Sequence, residues 1–142
     1  MKGRLKKSRR EIGGRVVLDT SFLVEMLDRG RGELAELLAR YDEIIIPWIS
    51  LYEYLYGHKV GRKIDDKELS FRKEKVESLG LVVWGSQEVL EKTLSLDFML
   101  RKKREKIPFS DLLINAFALV YDADIATFNR KHFRKIGNRI VP

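Results

Sequence analysis

Four polar side chains occupy comparable places in a chain otherwise built of short apolar runs: Asp19, Glu53, Asp111 and Asn129. Asp19 ends the run Val16-Val17-Leu18 and is followed by Thr20-Ser21-Phe22-Leu23-Val24. A carboxylate set where a hydrophobic strand gives way to a helix lies at the open edge of a sheet, where α/β proteins put their chemistry. Three acids and an amide at such junctions suggest a pocket for a hard divalent cation, which prefers oxygen ligands. The surrounding protein carries a net charge of +7. An acidic metal pocket inside a basic protein points to the cutting of a nucleic acid.

The elements that must position these groups follow from patterning. Residues 15–19 read as a strand, and Ser21 is a plausible N-cap for a helix carrying Phe22 to Leu27, broken by Gly30 and Gly32. Leu34, Leu37 and Leu38 show helical spacing as far as Tyr41. Residues 43–46 form a short buried strand, after which Pro47 and Ser50 open a helix through Tyr56, stopped by Gly57. Residues 65–78, charged and with only Leu69 and Val76 apolar, look like an exposed helix. Residues 81–84 are the third strand, and Ser86 caps a long helix whose turns are traced by Val89, Leu90, Thr93, Leu94, Asp97 and Leu100. After Ile107-Pro108-Phe109-Ser110, residues 111–121 form a strongly apolar helix, residues 124–127 a fourth strand and residues 139–141 a fifth.

Strands separated by helices argue for a three-layer α/β/α sandwich around a central parallel sheet of four to five strands. In such a sheet all strand C-termini share one edge. Asp19 ends the first strand, Glu53 lies in the helix after the second, Asn129 follows the fourth, and Asp111 opens a helix whose first turn can reach the same edge. Topology, rather than spacing, brings them together.

Length and composition narrow the classes. A chain of 142 residues, 44% hydrophobic, is one folded domain, expected over residues 15–142. With no cysteine it has neither disulfides nor thiolate metal sites. Its longest apolar stretch, Ile44-Ile45-Ile46-Pro47-Trp48-Ile49, is far too short to cross a bilayer. The basic N-terminus has no apolar segment behind it and does not resemble a secretory signal, so a cytoplasmic protein is expected.

The charge is unevenly placed. Residues 1–15 carry seven Lys or Arg against Glu11 alone, while residues 16–142 carry 21 basic and 20 acidic side chains. Lys2, Arg4, Lys6, Lys7, Arg9 and Arg10 thus form a basic, flexible tail over residues 1–14, able either to bind RNA phosphates through counterion release or simply to remain solvated. A second basic run, Arg101-Lys102-Lys103-Arg104, ends a helix, where cations also complement the helix dipole.

Four segments, in order, carry a resemblance: Val17-Leu18-Asp19-Thr20-Ser21; Glu53-Tyr54-Leu55-Tyr56-Gly57; Pro108-Phe109-Ser110-Asp111-Leu112-Leu113-Ile114; and Ile125-Ala126-Thr127-Phe128-Asn129. The chain resembles PIN-domain ribonucleases, and in particular the VapC-type toxin subunits of VapBC pairs. No one segment is specific; four in order at the right junctions are. The resemblance implies an endoribonuclease that holds Mg²⁺ or Mn²⁺ among acidic side chains and hydrolyses RNA through metal-activated water. It implies a homodimer, with apolar positions of the early helices as surfaces, and, for a toxin, a small antitoxin that occludes the pocket. Carried over by position, Asp19, Glu53 and Asp111 match the metal ligands, and Thr20, Ser21 and Thr127 would support them by hydrogen bonding. Asn129 matches a fourth position that is often Asp in the family, which loses one charge and weakens the case for a second metal.

Each residue also has an ordinary use. Asp19 could cap a helix, Glu53 could be a surface acid, Asp111 could favour its helix dipole by roughly 0.3–1 kcal/mol, and Asn129 could serve a turn. His58 and His132 show no partner at metal spacing, and Trp48, Tyr52, Tyr54 and Tyr56 are expected mainly in core and interface packing rather than in base stacking. Three other activities fit the same residues: an RNA-processing PIN nuclease without an antitoxin, a catalytically weak RNA-binding or assembly module, and a phosphohydrolase acting on small molecules.

Overall fold

The computed structural model describes residues 13–142. The basic tail expected to bind RNA therefore lies outside the described residues except for its last two, and these are tied to the body. Gly13 N–H donates to the Arg40 carbonyl at 2.7 Å, and Gly14 N–H to Asp42 Oδ2 at 3.0 Å.

Five strands form one sheet: β1 (Arg15–Leu18), β2 (Glu43–Pro47), β3 (Leu81–Val83), β4 (Ala123–Ala126) and β5 (Ile140–Val141). The order is β3-β2-β1-β4-β5 and every pairing is parallel. Seven helices surround it: α1 (Thr20–Leu23), α2 (Glu33–Leu38), α3 (Trp48–Tyr56), α4 (Asp66–Glu77), α5 (Gln87–Lys102), α6 (Phe109–Val120) and α7 (Arg130–Arg134). No helix among the described residues is long and apolar enough to cross a membrane.

Strand alternation divides the core into two layers. Val17, Ile45 and Ile125 face one side, where they pack with Leu96 and Leu100 of α5, Ile114 and Phe117 of α6, and Phe133 of α7. Val16, Leu18, Ile46 and Ala126 face the other, against Phe22 and Leu23 of α1, Leu34 and Leu38 of α2, Leu51 and Tyr54 of α3, and Val76 of α4. Burying a Leu, Ile or Phe side chain fully contributes about 1.5–3 kcal/mol, so these two layers outweigh any single polar contact at the sheet edge. The expected three-layer sandwich is present.

Local differences from the sequence expectations have identifiable causes. Asp19, not Ser21, is the N-cap residue of α1, with extended backbone angles (φ −82°, ψ 157°). Ser21 is inside the helix because its hydroxyl has a better acceptor in the Asp19 carboxylate. Gly57 does not stop α3: it keeps helical φ of −59° and the helix widens into a π-type segment, Gly57–Gly61. That segment carries His58, buried, to within 2.9 Å of Asp28 Oδ2, a tertiary contact that outweighs glycine's weak helix preference. A similar widened segment, Val24–Asp28, follows α1 and brings Asp28 to the same place. His132 lies in α7.

Candidate active site

The central strand β1 has β2 on one side and β4 on the other, so the chain leaves it in both directions and opens a crevice at the strand C-termini. Asp19 sits at this switch point. Its amide donates to the Ala126 carbonyl at 3.0 Å, which prolongs the β1–β4 ladder to the edge, and its side chain is almost fully buried. Ser50, one turn ahead of Glu53 on α3, donates its hydroxyl to the Leu18 carbonyl at 2.7 Å and so fastens the helix carrying Glu53 to the end of β1.

Two hydroxyls converge on one oxygen of Asp19. Ser21 Oγ and Thr127 Oγ1 each donate to Oδ2 at 2.7 Å. Their own lone pairs are filled by amides, Phe128 N–H donating to Ser21 Oγ and Asn129 N–H to Thr127 Oγ1, each at 2.9 Å. With amides supplying one direction, each hydroxyl proton is directed to the carboxylate. Oδ1 is left without a side-chain donor among the described residues. Burial pushes the Asp19 carboxyl above its ordinary range, and the hydroxyls and the nearby Thr20 and Ser21 amides partly offset this.

Glu53 is held from the strand side as well, accepting from Thr20 Oγ1 at 2.7 Å. A hollow of about 540 Å³ lies beside it, walled by Thr20, Tyr52 and Tyr56. Trp48, Tyr52 and Tyr56 form a ladder along α3 with ring centroids 6.4 and 5.9 Å apart, and Tyr52 and Tyr56 are exposed, whereas Tyr54 is in the core.

Asp111 lies in the first turn of α6 and is buried. Its carboxyl is pushed up to about 6, first by burial and then by the negative charge of Asp19, with a smaller contribution from Glu53; His132 opposes the shift through a hydrogen bond and its charge. Asp111 therefore feels the charges of two acids far from it in sequence. Asn129, the N-cap residue of α7, is close by: His132 Nδ1 lies 2.6 Å from Asp111 Oδ2 and 2.8 Å from Asn129 Nδ2. An imidazole nitrogen bears either one proton or one lone pair, so Nδ1 serves one of these neighbours at a time. With the proton on Nδ1 it donates to the carboxylate, and the Asn129 amide turns its oxygen inward.

All seven residues expected at the site are thus at one sheet edge: Asp19, Glu53, Asp111 and Asn129, with Thr20, Ser21 and Thr127 as their hydrogen-bond partners. His132 was missed by sequence reasoning, since a histidine three residues after Asn129 signals only that the two share a helical face. Asp124 is turned away from the site: it accepts from Tyr41 Oη at 2.7 Å, with Arg139 at 3.6 Å.

As arranged, no three Asp, Glu or His side chains among the described residues lie close enough to ligate one ion as a group. The donor chemistry still fits a hard cation. Mg²⁺ keeps several waters and takes one or two carboxylates, and the carboxylate oxygens of Asp19 and Asp111 are of that type.

Residues 16–138 match the family model of the PIN domain. The chain belongs to the PIN domain family. Solved structures with the same fold include VapBC from Salmonella typhimurium bound to DNA (19% identity, TM-score 0.80, covering 90% of this chain and 97% of that one). VapBC-1 from nontypeable Haemophilus influenzae is similar (18% identity, TM-score 0.79, 89% and 96% covered). So is Mycobacterium tuberculosis VapC20, a toxin that cleaves the sarcin-ricin loop (15% identity, TM-score 0.64, 87% and 95% covered). No curated protein matches the chain. At these identities the neighbours establish the fold of this PIN domain; its substrate has to be argued from its own residues.

Proposed function

We propose that this PIN domain is a metal-dependent endoribonuclease and the toxin of a toxin–antitoxin pair. The observation that carries this is the meeting of Asp19, Glu53 and Asp111 at one sheet edge, where burial first, and then the negative charges of Asp19 and Glu53, push the Asp111 carboxyl up to about 6. Repelling buried acids are the condition that a divalent cation relieves. Mg²⁺ or Mn²⁺ would be held by Asp19, Glu53 and Asp111 and would supply charge neutralisation at the reacting phosphate.

The reaction is hydrolysis. A water oxygen bonds to phosphorus, the bond to the 3′ oxygen breaks, and the leaving oxygen takes a proton, giving a 5′-phosphate and a 3′-hydroxyl. Asp111 contributes its carboxyl to the set that would hold the cation. His132 and Asn129 keep that carboxyl in place, as the Ser21 and Thr127 hydroxyls do for Asp19.

That the structural neighbours are VapBC complexes supports a small antitoxin as partner. A homodimer is supported by apolar side chains left exposed, namely Leu90, Leu94 and Phe98 at helical spacing on α5 together with Tyr52 and Tyr56 on α3. The early helix α1, by contrast, buries Phe22 and Leu23 in the core. A second reading, an RNA-binding module with weak catalysis, is favoured by the neutral Asn129 and by the absence of a preformed ligand trio among the described residues.

The test is cleavage of a mixed pool of structured and single-stranded RNAs with Mn²⁺, Mg²⁺ or EDTA. Cleavage should need the metal and fall at least a hundredfold in Asp19→Asn and Asp111→Asn, the scale on which active-site electrostatic groups act. Folded protein that binds RNA without cutting it under any metal would replace the nuclease with the binding module.

A further inference from the structure

Beside the acidic crevice the molecule has a second concavity, of about 810 Å³, formed where the end of α5, the segment after it and the end of α7 come together. Four cations line it: Arg101, Arg104, Lys106 and Lys135. Two carboxylates, Asp97 and Glu105, line it too, leaving an excess of positive charge. Among the described residues the side chains of Arg101, Arg104 and Lys106 make no ion pair or hydrogen bond. Lys135 donates to the Lys106 carbonyl at 3.1 Å, which fixes its ammonium at the rim and leaves it further protons to donate.

The concavity is joined to the acidic crevice through two helices. On α6, Asp111 faces the crevice while the next residue, Leu112, forms part of the floor of the basic concavity. On α7, His132 meets Asp111 while Lys135, one turn on, reaches the basic rim. Unpaired guanidinium groups over an apolar floor suit phosphate oxygens, which they can hold with paired hydrogen bonds.

We propose that the Arg101–Arg104–Lys106–Lys135 concavity binds backbone phosphates of the RNA strand on one side of the scissile bond. It is a substrate-positioning subsite separate from the acids that act on that bond. The inference rests on the ribonuclease reading and adds to it where the substrate lies. It also gives the basic run at the end of α5 a use beyond complementing the helix dipole.

The experiment measures binding, not cleavage, so that the two ideas can fail separately. A short fluorescein-labelled single-stranded RNA is titrated by anisotropy into Asp19→Asn protein and into the same protein carrying Arg101→Gln and Arg104→Gln, at several salt concentrations. The N-terminal cations are present in both and cancel. Loss of two phosphate contacts should weaken binding about five- to tenfold at moderate salt and lower the slope of log K against log salt by about 1.4. Arg101→Lys with Arg104→Lys should recover most of the slope, which a purely structural defect would not. Equal affinity and equal slope in the Gln variant would overturn the subsite while leaving metal-dependent cleavage untouched. Polyglutamate displacing the RNA from the concavity as well as an equal concentration of RNA phosphate does would overturn it in favour of an acidic protein.

Discussion

The Asp111 carboxylate and the His132 ring meet at 2.6 Å, joining the first turn of α6 to the last short helix of the domain. Both influences that hold the Asp111 carboxyl down come from this ring. In His132→Ala the Asp111 midpoint should therefore move above about 6, read by NMR titration of the side-chain carboxyl carbons. Cleavage should fall roughly 10–100-fold, as when a partner that orients an acidic ligand is lost. A midpoint that does not move would remove His132 from the site.

The same carboxyl sets a pH dependence of stability. A folded-state value of about 6 against 3.8 unfolded means that the folded protein binds the proton more tightly. Stability should then fall as pH climbs from about 4 to above 6, by on the order of 2 kcal/mol. Asp19, raised by burial, adds to the same trend. Urea midpoints in EDTA should show the decline, Asp111→Asn should flatten part of it, and Mg²⁺ or Mn²⁺ should restore stability at the high-pH end. Stability that rises over this window would contradict the assignment.

Away from the site, the side chain of Asp28 is covered and accepts from Tyr54 Oη at 2.7 Å and Arg72 Nη1 at 2.9 Å, with His58 Nε2 2.9 Å away. Burial, and then the hydrogen bond to Asp28, push the Tyr54 phenol up to about 12. Arg72→Met removes the permanent cation and should destabilise the protein by about 3 kcal/mol, because a buried carboxylate is left short of a partner. Asp28→Asn in the same chain should recover part of that loss, a non-additivity that thermal unfolding of the two single variants and the double variant would measure.

Gly80 precedes β3 at a point of close approach. A Cβ there would stand 2.4 Å from the Ile44 carbonyl oxygen and 2.8 Å from Ile44 Cβ, and neither atom can swing away. Gly80→Ala should lower stability by about 2 kcal/mol as β3 is pushed off β2. Gly57→Ala is the opposite case: helical φ and open space predict a gain of about 0.5–1 kcal/mol. Thermal midpoints of the two variants should move in opposite directions.

The sequence made legible whatever depends on local pattern. Alternating strands and helices predicted the parallel sheet, and the strand-end positions of Asp19 and Asn129 predicted a shared edge. Ser86 and Asp65 could be read as helix starts, and both cap their helices, accepting from the Val89 and Glu68 amides. Contacts between distant segments were not legible. Ser21 has the residue type of an N-cap, but its hydroxyl is drawn to a carboxylate and its lone pair is filled by an amide more than a hundred residues away. His58 follows a glycine that ordinarily ends a helix, yet Asp28 holds it inside. No spacing announces the partner of His132, because Asp111 comes from another helix.

Thr127 completes the hydrogen-bond set of Asp19 from 108 residues further along the chain. Its own strand, β4, supplies the ladder on which the Asp19 amide rests. A polypeptide emerging from the ribosome therefore displays Asp19 and Glu53 long before the crevice can close around them, and Asp111 gains its histidine only after α7 has emerged. For a protein proposed to attack RNA, synthesis on an RNA machine proceeds with the pocket in separate pieces almost to the last turn of helix.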